Sequence, residues 1–78
     1  MKTYTIKNQS ELEQFKDEYG YKVDGSLDVQ CSLNFEKRLY VEGWLSIEAG
    51  EYIKAGGSIK AGRSIEAGGS IEAGGSMQ

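Results

Sequence analysis

The run Gly57-Ser58-Ile59-Lys60-Ala61-Gly62-Arg63-Ser64 comes close to a phosphate-binding loop, with arginine where that motif has lysine. Such a loop needs a strand before it and a long helix after it, so that backbone N–H groups cradle the phosphate. Here more of the same glycine-punctuated run follows, so the match is a by-product of repetition. Cys31 is the single thiol, and the chain has no histidine to serve as its base. The commonest zinc ligand and the commonest general base are therefore both missing. One cysteine also closes no internal disulfide. The chain does not read as an enzyme, and no cofactor or metal is expected.

What remains is surface chemistry. Asp24, Glu36, Glu42, Glu48, Glu66 and Glu72 fall at outward positions, interrupted by Lys54 and Lys60. Duplex DNA carries one charge per about 1.7 Å of axis. A net charge of −3 over 78 residues falls far short of that density. Mimicry of nucleic acid by the whole chain is thus disfavoured, while the negative sign argues against direct nucleic-acid binding. A local acidic patch is compatible with a protein partner that has a basic groove. Tyr40, Trp44 and Tyr52 lie close in sequence, and such aromatics are favoured interface anchors. The candidate partner-binding residues are Glu42, Trp44, Glu48, Tyr52 and Glu66.

The element that positions these side chains is a repeat. Ser58-Ile59-Lys60-Ala61-Gly62-Arg63, Ser64-Ile65-Glu66-Ala67-Gly68-Gly69 and Ser70-Ile71-Glu72-Ala73-Gly74-Gly75 have a period of six. A large or branched apolar residue holds the same beat from Val23 through Val29, Phe35, Val41, Ile47, Ile53, Ile59, Ile65 and Ile71 to Met77. Six residues per repeat would spiral such residues around a helix, but fit short strands joined by corners. In Ser-Ile-Glu-Ala the Ile and Ala point one way and the Glu the other, and the glycines turn the corner. Each hexad is then one side of a coil, and stacked coils pair as parallel strands.

Two sides per coil would give 12-residue coils and alternate the signs of Glu48, Lys60 and Glu72. Three sides give 18-residue coils and stack Glu48 on Glu66, a small cost on an exposed face. Corners of about 120° suit a two-residue turn, and Phe35 and Trp44 suggest a wide bore, so three sides are preferred. The expected inward ladders are Val23–Val41–Ile59–Met77, Val29–Ile47–Ile65 and Phe35–Ile53–Ile71. Cys31 shares the beat of Ala49, Ala55, Ala61, Ala67 and Ala73, and reads as a small buried hydrophobe.

The Ser-Ile-Glu-Ala-Gly-Gly run resembles the polymer-forming β-helix repeats of the bactofilin family, over residues 22–78. It is similar in period to left-handed hexapeptide β-helices, which want a small residue two positions before the aliphatic. This chain has Leu27, Leu33, Leu39, Leu45, Glu51 and Arg63 there instead. The resemblance implies a β-solenoid that associates end to end, and it brings no catalytic residues.

Residues 1–21 stand outside the beat and read as a cap. Lys2–Lys7 alternates as a strand. Ser10 and Glu13 form a capping box for a helix over Glu11–Tyr19, with Leu12, Phe15 and Tyr19 on one stripe and Gly20 at its end. The fold expected is therefore mainly β: a short, three-sided parallel solenoid over residues 22–78 with an N-terminal strand–helix cap, together one domain.

No stretch reaches the roughly 18 apolar residues of a membrane span, and the N-terminus has no leader-like apolar run. A lone cysteine suits a reducing compartment, so a cytoplasmic location is expected. The leading functional expectation is a protein-binding inhibitor or adaptor, in the style of small acidic phage-encoded counter-defence (anti-CRISPR) proteins. The other is a structural module that self-assembles end to end. A homodimer through the C-terminal end, with Ile71 and Met77 at the contact, is expected in addition.

Overall fold

The structure, a computed structural model, describes residues 2–75. Its strands are β1 (Thr3–Ile6), β2 (Gly20–Val23), β3 (Ser26–Val29), β4 (Leu33–Phe35), β5 (Arg38–Val41), β6 (Leu45–Ile47), β7 (Tyr52–Ala55), β8 (Ile59–Ala61), β9 (Ile65–Ala67) and β10 (Ser70–Ala73). They form three parallel sheets. Sheet A runs β1-β3-β6-β9, sheet B runs β2-β5-β8, and sheet C runs β4-β7-β10. From β2 onward the chain visits B, A and C in turn, which is a three-sided β-solenoid. The alternation that predicts it is visible in burial: Leu33 and Phe35 are buried on either side of exposed Asn34, and Ile53 and Ala55 on either side of exposed Lys54.

Each strand presents two inward slots, two residues apart. Leu27, Leu33, Leu39 and Leu45 take the first slot in the early coils, and Ile53, Ile59, Ile65 and Ile71 take it later. The second slot passes from Val23, Val29, Phe35, Val41 and Ile47 to Ala55, Ala61, Ala67 and Ala73. The two halves of the core are filled differently, large-with-large early and large-with-small late.

This corrects the expected ladders. Val23–Val41, Val29–Ile47 and Ile53–Ile71 do pair. Val41 then meets Ala61, Ile47 meets Ala67, and Ile53 stacks on Leu33. Met77 lies outside the described residues. The cause is a two-residue insertion at one corner. Leu27 pairs with Leu45, 18 residues on, but Leu45 pairs with Ile65, 20 residues on. The extra residues sit in the exposed turn Glu48–Glu51, closed by the Glu51 N–H donating to the Glu48 carbonyl at 3.1 Å. Gly50 has φ +85° there, and nothing lies within 4 Å of a Cβ built on it. Without the insertion Glu51 would take an inward leucine slot, where an unpaired charge costs several kcal/mol. Deleting Ala49 and Gly50 together is expected to give uniform 18-residue coils, with Ile53 kept in the inward slot above Leu33. Circular dichroism should show a cooperative melt within about 2 kcal/mol of the parent; a non-cooperative melt would contradict this account of the turn.

Cys31 is corrected too. The later alanines occupy the second inward slot, whereas Cys31 lies in the corner after β3, half-buried against the core. Burial pushes its thiol pKa up, with Glu51 and Glu11 adding to the effect. That is the opposite of what a thiolate nucleophile needs.

The cap differs from expectation in detail. The helix is a 3-10 helix of seven residues, Gln9–Phe15, and Tyr19 is not part of it. Its N-cap is Asn8, not Ser10, and the capping box closes with Glu11, whose carboxylate accepts from the Lys7 and Asn8 N–H groups. In a 3-10 helix residues three apart eclipse, so Leu12 and Phe15 fall on one side. Leu12 is 1% exposed, and Phe15 meets the Tyr4 ring edge-on at 5.0 Å. β1 itself is a rung of sheet A, so the sheets begin before residue 22.

Candidate functional site

The two ends of the solenoid are built differently, and the difference arises from side chains that mimic strands. At the N-terminal end the outer edge of β4 is covered by Gln9. Its carboxamide donates to the Asn34 carbonyl at 2.7 Å and accepts from the Asn34 N–H at 3.2 Å. One side chain thereby makes the pair of bonds that a neighbouring strand would make. The edge of β2 is closed by an antiparallel bridge between Lys16 and Tyr21, and by the Asp17 N–H donating to the Gly20 carbonyl at 2.7 Å. Leu12, Phe15 and Tyr4 lie over the core there. Edges blunted in this way resist pairing with another chain.

At the other end β8, β9 and β10 are the last rungs of sheets B, A and C. Among the described residues nothing pairs with their outer edges. Ile53 and Ile59 are fully buried, yet Ile65 and Ile71, in the same slot of the same hexad, are only half-buried. Ala67 is exposed. The outward residues on these three edge strands are Lys60, Glu66 and Glu72, all exposed. Lys60 lies 5.8 Å from the Tyr40 ring centroid, and Glu72 stands opposite Lys54 on the neighbouring strand. Glu66 stands opposite Ser46.

The faces also differ in charge. Sheet A presents Thr5, Asp28, Ser46 and Glu66 in register. Sheet B presents Lys22, Tyr40 and Lys60. Beside that column the Arg38 guanidinium lies 5.2 Å from the Tyr19 ring, at the rim of a shallow cleft of about 280 Å³ lined by Asp17, Tyr21 and Lys22 among others. Sheet C presents Asn34, Lys54 and Glu72, with exposed Tyr52 next to them.

The five partner-binding candidates are therefore only partly brought together. Glu66 lies on sheet A. Glu42 and Trp44 lie at the corner leading into it, and Glu48 at the corner leading out. Tyr52 has turned onto sheet C, and Tyr40 onto sheet B, so the three aromatics do not form one patch. Glu42 is 3.9 Å from the Lys22 ammonium. Trp44 stacks 18 residues after Ser26, and the insertion sets it against Ser64 in place of Gly62. Its backbone N–H donates to the Ser26 hydroxyl at 3.1 Å, and the residue is half-buried.

Ile71 is brought to the open end, on β10. A charged residue on the leucine beat, Glu51, was the signal that the register shifts.

Among the described residues no cluster of His, Cys, Asp and Glu could hold a metal ion, and no helix is long and apolar enough to cross a membrane. No family model, no curated protein and no solved structure matches the chain.

Proposed function

We propose that this chain is a non-enzymatic β-solenoid module that binds a second copy of itself through its C-terminal end. The observation that carries the reading is the half-exposure of Ile65 and Ile71 on parallel edges that nothing pairs among the described residues. The rung that buries Ile53 is another rung of the same kind. A second copy's end offers that surface, with the matching inward aliphatics of β9 and β10. Blunting of the N-terminal edges of β2 and β4 directs association to the other end, which favours a closed pair over a filament.

Light scattering over a concentration series tests this. The wild type is expected to pass from monomer to dimer between low and high micromolar concentration. Ile71→Lys, half-exposed in the free chain, should stay folded by circular dichroism and remain monomeric at the highest concentration. A wild type that is monomeric throughout would overturn the reading.

The acidic face of sheet A supports a second reading, an inhibitor of the counter-defence kind whose target has a basic groove. Glu42→Lys, Glu48→Lys and Glu66→Lys together should then abolish inhibition of that target without lowering the melting temperature by more than a few degrees. Inhibition retained by the folded triple variant would count against it.

A further inference from the structure

We infer that the shallow cleft on sheet B is a carboxylate-binding site, which takes an aspartate or glutamate side chain of a protein partner onto the Arg38 guanidinium. The cleft lies on a flank of the solenoid and uses neither of its ends, so the inference goes beyond the end-docking reading and does not rest on it.

The cleft begins with a missing side chain. Gly20 stands opposite Arg38 in the pairing of β2 with β5, and it offers no side chain there. Two residues on, Lys22 stands opposite Tyr40, and the cleft is lined by these four residues with Asp17, Tyr19 and Tyr21. Arg38 is held in it as a receptor. Its guanidinium lies 5.2 Å from the Tyr19 ring centroid, and its Nε donates to the Tyr19 carbonyl at 3.4 Å. Stacking and this bond tie down one edge of the planar group. Among the described residues no carboxylate forms an ion pair with Arg38. A guanidinium fixed along one edge, with its Nη groups unmatched by a carboxylate, is arranged to take one through two parallel hydrogen bonds. Because its orientation is already set, less rotamer freedom is lost on binding.

Charge and size select the occupant. Lys22 and Arg38 bring two positive charges to the lining and Asp17 one negative, a balance of +1 that matches a single carboxylate. The Asp17 Oδ1 already accepts from the Tyr19 and Gly20 N–H groups at 2.8 and 2.9 Å, so this carboxylate is turned to the backbone. A doubly charged phosphate would exceed the balance, and would also meet Glu42, which stands 3.9 Å from the Lys22 ammonium. At about 280 Å³ the cleft is below the roughly 300–1,000 Å³ of sites that enclose a small ligand. It suits one side chain whose own backbone supplies the remaining contact. Tyr19, 66% exposed, and half-buried Tyr40 offer ring surface for that contact, and tyrosine and arginine are enriched where interfaces are anchored.

The probe is an N-acetylated tripeptide amide of sequence tyrosine–glutamate–tyrosine. It is titrated into isotope-labelled protein and read by NMR at the Arg38 Nε–H and at the Tyr19 and Gly20 backbone N–H signals. Saturable shifts with a Kd on the order of 1 mM are expected. The same tripeptide with glutamine in place of glutamate should bind about tenfold more weakly or worse. Arg38→Gln and Arg38→Lys should each weaken the glutamate tripeptide by about tenfold, because lysine keeps the charge but loses the fork. Arg38 is exposed, so circular dichroism should show both variants folded. Salt dependence of the wild type needs no variant: raising the salt from about 50 mM to about 500 mM should weaken binding by about threefold or more. Equal binding of the two tripeptides, no shift at Arg38, indifference to salt, or wild-type affinity in a folded Arg38→Lys would each overturn the inference. Inorganic phosphate that saturates the same signals at a lower concentration than the tripeptide would overturn the assignment to a carboxylate.

Discussion

Ile53→Asp is expected to abolish cooperative folding at neutral pH. Ile53 is fully buried at the centre of the Leu33–Ile53–Ile71 ladder, with a rung on either side. Removing its side chain forfeits about 2–5 kcal/mol through lost burial and a cavity. An unpaired carboxylate in the same place adds several kcal/mol more. A domain of this size has about 4–12 kcal/mol of stability in total, at 0.05–0.15 kcal/mol per residue. The sum therefore reaches or exceeds what the fold has. Burial raises the pKa of the new carboxyl in the folded chain, so folding takes up a proton and part of the loss should return as pH falls. The neighbouring change Lys54→Gln is outward and should cost within about 0.5 kcal/mol, even though Lys54 stands opposite Glu72. Thermal melts by circular dichroism decide the matter. An Ile53→Asp melting temperature within a few degrees of wild type would contradict the inward assignment of the ladder.

The second large effect falls on Gly20. Its φ is +147°, outside the range that L side chains ordinarily adopt, and a Cβ built there would lie 2.2 Å from the Arg38 carbonyl oxygen. That oxygen is backbone in the paired strand β5, so it cannot swing aside as a side chain would. Gly20→Ala must push β2 away from β5. It should cost about 3 kcal/mol or more, through strain together with lost sheet pairing. Gly50→Ala is the contrast. It carries a φ of +85° but meets no atom within 4 Å, so backbone strain of about 1–2 kcal/mol is its whole expected cost. Denaturant titration of the two variants should separate them clearly. Equal losses would show that close approach to Arg38 is not what requires glycine at position 20. Gly20 was read from the sequence as a helix C-terminal residue. Its actual task, letting two strands approach, becomes visible only when β5 is set beside it.

The cap shows how local signals can be right in kind and displaced in position. Asn8 and Glu11 satisfy the same capping pattern as Ser10 and Glu13, two residues earlier. Local chemistry does not choose between them. The choice comes from Leu12 and Phe15, which must both reach the core within one short turn, and from Gln9, whose carboxamide must meet the edge at Asn34. A continuation to Tyr19 would have carried the chain away from β2, which begins at Gly20.

The six-residue beat, the inward and outward alternation and the pairing of parallel strands were determined by the sequence itself, whereas it only favoured three sides over two, and the structure has three sheets. They follow from residue type at a strict spacing, because a strand's side-chain period of two and a glycine corner leave little else that six residues can build. The register of the second half was decided by the tertiary structure alone. Each strand has two inward slots two residues apart, and an insertion of two residues coincides with the aliphatic residue moving from one slot to the other. Ile47 and Ile53 therefore stay six apart in sequence while they occupy different slots in space. A shift that cancels in the spacing leaves no trace in it, and only the pairing of strands 18 or 20 residues apart reveals it.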